Sequence, residues 1–144
     1  MSIQSLKRKQ QWLVPAALLL ILAGLFVART AFARIGINTI SPVGIVADKG
    51  RHVTVTGPLW LTEAGETAHL RVTVTQRSTG ALAEGSVLLT GNGQTNQWEV
   101  AAVVEGRATF EPGPSTAVAV ARTTVGGRAT DAHQWLVNIT LLKE

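Results

Sequence analysis

One segment near the N-terminus constrains this chain more than any other feature. Trp12–Ala28 is an apolar run without a single charged residue. A helix rises about 1.5 Å per residue, so this run covers roughly 25 Å, close to the hydrocarbon thickness of a bilayer. We therefore predict that residues 12–33 form one N-terminal transmembrane α-helix and that residues 34–144 form a separate domain.

Positive charge is concentrated beside the apolar run. The chain has 13 basic and nine acidic residues, a formal net charge of +4, and residues 34–144 carry nine of each. The excess therefore belongs to residues that flank the run: Lys7, Arg8, Lys9 and Arg29. A basic cluster that precedes the first apolar span favours the cytoplasmic side, which places Lys7–Lys9 there. We predict a cytoplasmic N-terminus (1–11) in a bacterial inner membrane and a periplasmic or extracellular C-terminal domain, whose neutrality argues against nucleic-acid binding.

Residues 12–33 allow two interpretations. Ala31-Phe32-Ala33 before Arg34 fits the cleavage site of a secretory signal peptide, which would release a soluble protein. The apolar run favours a retained signal anchor, because it is long and continues to Ala33 if Arg29 snorkels to the interface. In an anchored chain we expect these residues to contact the membrane interface: Lys7, Arg8, Lys9, Trp12 and Arg29.

Small residues share one side of the predicted helix. At about 100° per residue, the bulky side chains Leu18, Leu22, Leu25 and Phe26 point the other way. Small residues let two transmembrane helices approach closely. This pattern predicts a helix-packing interface made by Ala17, Gly24, Ala28 and Ala31, with lipid on the bulky face. The alanine- and leucine-rich composition of signal sequences is an equally simple explanation.

After Arg34 the period of hydrophobicity changes to two. Ala68–Thr75 shows it best, because Ala68, Leu70, Val72 and Val74 share one face. Gly- and Pro-containing turns such as Gly91-Asn92-Gly93 separate the other predicted strands. These strands are Ile35–Ile40, His52–Thr56, Leu59–Thr62, Ser86–Thr90, Gln97–Val104, Ala108–Phe110, Thr116–Arg122 and Trp135–Leu141. The spacing predicts an all-β antiparallel sandwich of about seven to nine strands, with 34–51 as linker and first strand and 52–144 as the domain.

The strand spacing between Val53 and Leu142 resembles the immunoglobulin-like or fibronectin-III-like superfold. Trp98, in Gln97-Trp98-Glu99-Val100, is the candidate core tryptophan of such a domain. The resemblance implies an Ig-like sandwich but no particular family. The chain has no cysteine pair and no tyrosine, so it lacks the disulfide and the tyrosine corner of antibody-type domains.

The residues that could carry chemistry are few. His52 and His69 lie on the polar faces of strands that could pair, but with His133 they are the only histidines, and there is no cysteine to complete a metal set. Glu63 and Glu66 flank Gly65, where a solvated turn is the simpler interpretation. No nucleophile elbow or phosphate-binding loop is present. We therefore predict no enzyme, no cofactor and no metal site.

Two functions from different classes fit these patterns. The first is a non-catalytic accessory subunit of a larger membrane complex, of the kind found in respiratory and photosynthetic electron transfer, whose partners are other integral membrane subunits and lipid. Trp60 has apolar neighbours and is either a core residue or a protein contact. The alternative is an envelope-attached Ig-like module, cleaved after Ala33, that binds a carbohydrate or protein ligand. A small-molecule ligand is not expected, and a pilin-type filament subunit lacks its cleavage pattern.

Overall fold

The computed structural model describes residues 34–144, and most of them belong to strands, which confirms the all-β prediction. The strands are β1 (Ile35–Asn38), β2 (Val43–Ala47), β3 (His52–Leu61), β4 (Thr67–Gln76), β5 (Ala81–Thr90), β6 (Thr95–Glu105), β7 (Gly113–Val125) and β8 (Arg128–Lys143), with a 3-10 turn at Asp48–Gly50. The predicted basic segment (1–11) and transmembrane helix (12–33) lie outside the described residues. Within residues 34–144, no helix is long and apolar enough to cross a membrane.

Seven of the eight strands close into one barrel. Going round it, the order is β3, β2, β8, β7, β4, β5 and β6, and β6 pairs with β3 to close the ring. Neighbours are antiparallel except β2 and β8, which run parallel. The sequence predicted two packed sheets, and the structure pairs the strands into a single closed sheet instead. The difference arises because the unpredicted strand β2 and the start of β5 bridge the two sides.

The bridging ladders are much shorter than the others. The β2–β3 and β5–β6 ladders each contain three residue pairs. By contrast, β3 and β6 pair over nine residues, and β7 and β8 pair over 13. The barrel is therefore held mainly by two groups of long ladders, β3–β6 on one side and β8–β7–β4–β5 on the other.

The core fills the barrel from alternate positions of each strand. The predicted inward face of β4 is confirmed, since Ala68, Leu70, Val72 and Val74 are all fully buried. Burial of each valine or leucine side chain contributes roughly 1.5–3 kcal/mol. Trp98 on β6 is only 2% exposed, which confirms it as a core residue.

Several predicted strand boundaries were wrong. His52–Thr56 and Leu59–Thr62 belong to the one strand β3, in spite of the Gly57-Pro58 sequence between them. The strand needs glycine there, because a Cβ atom at residue 57 would collide with the carbonyl of Thr39 and the ring of Trp98. Ala108–Phe110 is not a strand, and Phe110 is instead buried with its N–H donating to the Gly50 carbonyl at 3.0 Å.

Candidate functional site at the chain entry

The described chain enters the barrel through a cluster of ionic and hydroxyl groups. The backbone N–H of Arg34 donates to Oδ2 of Asp131 at 3.0 Å, and the N–H of Ile35 donates to the same oxygen at 3.2 Å. The guanidinium of Arg34 contacts Glu63 at 3.2 Å and Glu66 at 3.3 Å. Together with Thr130, these side chains of Arg34, Glu63, Glu66 and Asp131 are here called the chain-entry cluster.

Glu66 is the buried member of this cluster. Its side chain is 1% exposed, whereas those of Arg34 and Glu63 are 30% and 59% exposed. Oε1 accepts hydrogen bonds from Arg34 and, at 2.7 Å, from the hydroxyl of Thr130. Oε2 is buried and has no hydrogen-bond partner among residues 34–144. Burying a carboxylate lowers the stability of the fold unless the carboxylate is paired. The ion pair with Arg34 and the hydrogen bond from Thr130 offset this loss of stability at Glu66.

The prediction that Glu63 and Glu66 form a solvated turn was therefore wrong for Glu66. The turn from β3 to β4 is fixed by two backbone bonds to the turn from β5 to β6. Gly65 N–H donates to the Gly91 carbonyl at 2.8 Å, and Gly91 N–H donates to the Glu66 carbonyl at 2.7 Å. These bonds hold the backbone of Glu66 at the barrel wall, and its side chain is then directed inward at the start of β4.

The Asp131 carboxylate accepts hydrogen bonds from the first backbone N–H groups of the described chain, those of Arg34 and Ile35. Partial burial acts to raise its pKa, but the N–H groups of Ile35, Arg34 and Ala132, together with nearby His133, outweigh this effect. The pKa of Asp131 consequently lies below its ordinary value, and the carboxylate is ionised at neutral pH. Asp131 pairs with Thr123 on β7, at the point where the β7–β8 register shifts between Thr123 and Thr124.

The groups of the chain-entry cluster bind separate segments of the chain to one another. The cluster combines charge-assisted hydrogen bonds with a buried ion pair. Its hydroxyl groups extend this network, since Thr130 donates to Glu66, and the Thr123 hydroxyl lies 2.9 Å from that of Thr130 and donates to the Asp131 carbonyl at 3.4 Å. Within residues 34–144, no group of three or more His, Asp or Glu side chains could hold a metal ion. The cluster ties β1, the start of β4 and the start of β8 to one another.

Sequence reasoning missed this site. Arg34 lies 32 residues from Glu66 and 97 from Asp131 along the chain. No local motif relates positions so far apart, and the sequence does not predict the order of the strands that bring them together. The one available signal was an arginine at the first residue after the apolar segment, which points to a basic residue at a boundary but not to its partners.

The predicted contact residues have different outcomes. Helix-packing residues Ala17, Gly24, Ala28 and Ala31, and interface residues Lys7, Arg8, Lys9, Trp12 and Arg29, lie outside the described residues. Trp60 is 36% exposed on β3, and one face of its ring covers Gly36, where a Cβ atom would collide with it. Trp60 is thus neither fully buried nor fully free, and a role in protein contact stays a prediction.

The histidines lie apart. His52 is on β3 and His69 on β4, and these strands are not neighbours, so the suggested two-histidine site does not form. His52 contacts Asp48 at 3.2 Å. His133 packs edge-on against Trp135, with ring centroids 5.8 Å apart, and contacts the Asn38 amide at 3.3 Å.

A second feature lies at the opposite end of the barrel, where β4 and β7 separate. The cleft there has a volume of about 780 Å³. Half of its 12 lining residues have uncharged polar side chains, among them Thr75, Thr116, Asn138 and Thr140. Arg77 is its basic group. Among the described residues, no aromatic side chain lines it.

Comparisons with known proteins define no family. No protein-family model matches the chain, and no curated protein matches it either. Among solved structures, it is similar to the alkylpurine DNA glycosylase AlkC of Pseudomonas fluorescens, bound to DNA containing an abasic site analog. The sequence identity is 13% and the TM-score is 0.36, and the match covers 76% of this chain and 30% of the glycosylase. A beta-glucuronidase from glycoside hydrolase family 2 has 13% identity and a TM-score of 0.32, over 64% of this chain and 10% of that one. The chain thus spans less than a third of either protein.

Proposed function

We propose that this protein is a non-catalytic, single-pass accessory subunit of a larger membrane protein complex. Residues 12–33 are its transmembrane helix, and the barrel is its extracytoplasmic domain on a bacterial inner membrane. Its partners are other integral membrane subunits, with respiratory or photosynthetic electron-transfer complexes as the first class to examine. The protein itself needs no cofactor for this role.

The chain-entry cluster is the observation that supports this proposal best. Arg34 is bound by its backbone to Asp131 and by its side chain to Glu63 and Glu66, so the barrel begins without a free linker. Only five residues separate Ala28 from Arg34. Such short coupling suits a subunit whose helix and domain bind the same complex.

Helix packing provides the test of this function. Replacing both Gly24 and Ala28 with leucine keeps residues 12–28 apolar enough to insert but prevents close approach of another helix. We expect normal membrane insertion, with stoichiometric copurification of the partner from detergent greatly reduced. A matched control changes Leu22→Ala and Phe26→Leu on the opposite face and should have a smaller effect. Wild-type recovery of the Gly24/Ala28 variant would show that the small residues reflect composition alone.

We also propose that the barrel is a closed variant of the Ig-like sandwich. Support comes from the two groups of long ladders, β3–β6 and β8–β7–β4–β5, which correspond to two facing sheets. The three-residue ladders β2–β3 and β5–β6 then act as bridges between those sheets. Trp98, which is buried on β6, occupies a core position consistent with such a sandwich.

The second candidate is an envelope-attached or secreted binding module that begins at Arg34. One contact favours it: cleavage after Ala33 would turn the Arg34 nitrogen into an ammonium group, and the Asp131 carboxylate already lies 3.0 Å from that nitrogen. The cleft at the end of β4 and the start of β7 is a candidate ligand site for such a module. N-terminal sequencing of the native protein separates the two functions, because an N-terminus at Arg34 supports the module and rules out the anchored subunit.

A further inference from the structure

The cleft at the end of β4 and the start of β7 is here called the β4–β7 cleft. It opens where the ladder between these strands ends, because Thr75–Thr116 is the last residue pair of that ladder and β7 itself begins three residues earlier, at Gly113. Its volume of about 780 Å³ lies within the range of roughly 300–1,000 Å³ that is usual for small-molecule sites. The cleft therefore has room for a molecule with several polar groups and not only for a single ion.

Side chains from three neighbouring strands form a polar row in the cleft. Thr75 on β4 pairs with Thr116 on β7, and Thr116 pairs with Asn138 on β8. Neighbouring strands lie about 4.7–4.9 Å apart, so the row presents a polar group roughly every 5 Å. The Thr116 hydroxyl donates to Oδ1 of Asn138 at 3.2 Å, which leaves the amide nitrogen of Asn138 as a donor. This row can bind the hydroxyl groups of a ligand at several points.

The cleft contains one charged group, the guanidinium of Arg77. No carboxylate is among the described residues that line it. The ion pairs within residues 34–144 are made by Arg34, His52 and Arg71, so Arg77 takes part in none of them. A guanidinium binds a carboxylate or a phosphate through parallel N–H bonds. The charge of the cleft therefore favours an anionic group beside Arg77.

Gln76 holds the wall of the cleft that carries Arg77. Its side chain is buried, with Nε2 donating to the Glu111 carbonyl at 2.7 Å and Oε1 accepting from the Glu111 N–H at 2.8 Å. The Thr79 hydroxyl donates to the same Oε1 at 3.1 Å, and the Gly80 N–H donates to the Gln76 carbonyl at 2.9 Å. These bonds fix the turn from β4 to β5 before any ligand arrives, which lowers the entropy lost on binding.

Ser115 is a polar residue of the cleft for which the fold provides no partner. It is 6% exposed, and its Oγ is buried without a hydrogen-bond partner among residues 34–144. The next three inward positions of β7 are the fully buried alanines Ala117, Ala119 and Ala121. A buried hydroxyl without a partner lowers stability, so alanine would suit position 115 as well. A polar group that enters the cleft would give Ser115 its missing partner.

We propose that the β4–β7 cleft binds a small anion that carries several hydroxyl groups. Its carboxylate or phosphate group binds Arg77, and its hydroxyl groups bind the polar row and Ser115. This proposal departs from the sequence-based expectation that no small molecule binds. It does not depend on the accessory function proposed above, and it gives the second candidate function a class of ligand.

Titrations of the full chain in micelles of an uncharged detergent, at constant ionic strength, test this site. The probes are gluconate, sorbitol phosphate, uncharged sorbitol and inorganic phosphate, and binding is followed by the NMR shifts of backbone amides. We expect gluconate or sorbitol phosphate to bind at least about tenfold more tightly than sorbitol and inorganic phosphate. The shifts should concentrate at residues 75–77, 114–116 and 138–140. The tighter of the two hydroxylated anions identifies the group that Arg77 prefers.

A matched pair of variants separates Arg77 from net charge. Arg77→Met and Arg128→Met remove the same charge, but Arg128 pairs with Val125 at the other end of β7. We expect Arg77→Met to weaken binding of the tighter anion by about tenfold or more and Arg128→Met to leave it unchanged. Ser115→Ala should weaken it by roughly threefold or more without lowering the urea midpoint, because its hydroxyl has no partner in the fold.

Several results would overturn this inference. One is the absence of saturable shifts with both hydroxylated anions, and another is shifts that concentrate outside the cleft. Equal affinity for sorbitol would refute the role of the anionic group, and equal affinity for inorganic phosphate would refute the role of the hydroxyl groups. Equal weakening by Arg77→Met and Arg128→Met would refute the assignment to Arg77. None of these results bears on the accessory function, which copurification of a partner tests separately.

Discussion

The buried carboxylate of Glu66 makes the chain-entry cluster sensitive to the loss of Arg34. Removing one partner of a buried ion pair costs about 3–5 kcal/mol, whereas an exposed pair contributes about 0–1 kcal/mol. Glu66 is 1% exposed and Arg34 is 30% exposed, so the pair lies between these limits. We predict that Arg34→Ala lowers the free energy of unfolding by about 2 kcal/mol, most of it from the uncompensated charge.

A double variant separates charge from packing. Glu66→Gln keeps an oxygen that can accept the Thr130 hydrogen bond but carries no charge. Adding it to Arg34→Ala should therefore recover about half of the lost stability or more. The control Glu63→Gln removes the exposed partner of Arg34, and its effect should stay below about 1 kcal/mol.

The assay is urea unfolding of the full chain in detergent micelles, followed by the far-ultraviolet circular dichroism of the strands. Thermal unfolding gives a second measure, since 1 kcal/mol corresponds to roughly 4–8 °C in a domain of 60–100 residues. If Arg34→Ala is equally destabilising in the wild-type background and in the Glu66→Gln background, an unpaired buried charge is not the cause, and the reasoning about this cluster is refuted.

Two further predictions concern backbone and pH. Gly57→Ala should destabilise the barrel by about 1–3 kcal/mol in urea unfolding, because the added Cβ atom would collide with the Trp98 ring. The comparison is Gly80→Ala, since Gly80 has open space around it but a positive φ. A smaller loss of stability for Gly57→Ala than for Gly80→Ala would contradict this reasoning. Asp131 has a lowered pKa, so its stabilising contribution is present above the ordinary value of about 3.9 and is lost as pH falls through the folded value. Below about pH 4 the wild type should therefore lose stability more steeply than Asp131→Asn. The measurement is the urea midpoint of both proteins from about pH 7 to about pH 2.5. If the two midpoints change in parallel with pH, Asp131 does not contribute to the pH dependence.

The sequence was informative wherever hydrophobic alternation was long and regular. The inward face of β4 could be predicted residue by residue, because period two specifies which side chains are buried once one face meets a core. Trp98 followed from the same argument. Strand β2, with the sequence Val43-Gly44-Ile45-Val46-Ala47, is too short and too apolar throughout for the alternation to show, so it was missed.

The closure of the barrel could not be predicted for a different reason. Which strand pairs with which depends on contacts between distant segments, and the β5–β6 bridge consists of only three pairs. The chain-entry cluster depends on this order, because Arg34, Glu66 and Asp131 meet only after β1, β4 and β8 are placed. Nothing in the sequence distinguishes these residues from ordinary surface charges, and the burial of Glu66 is a property of the assembled fold.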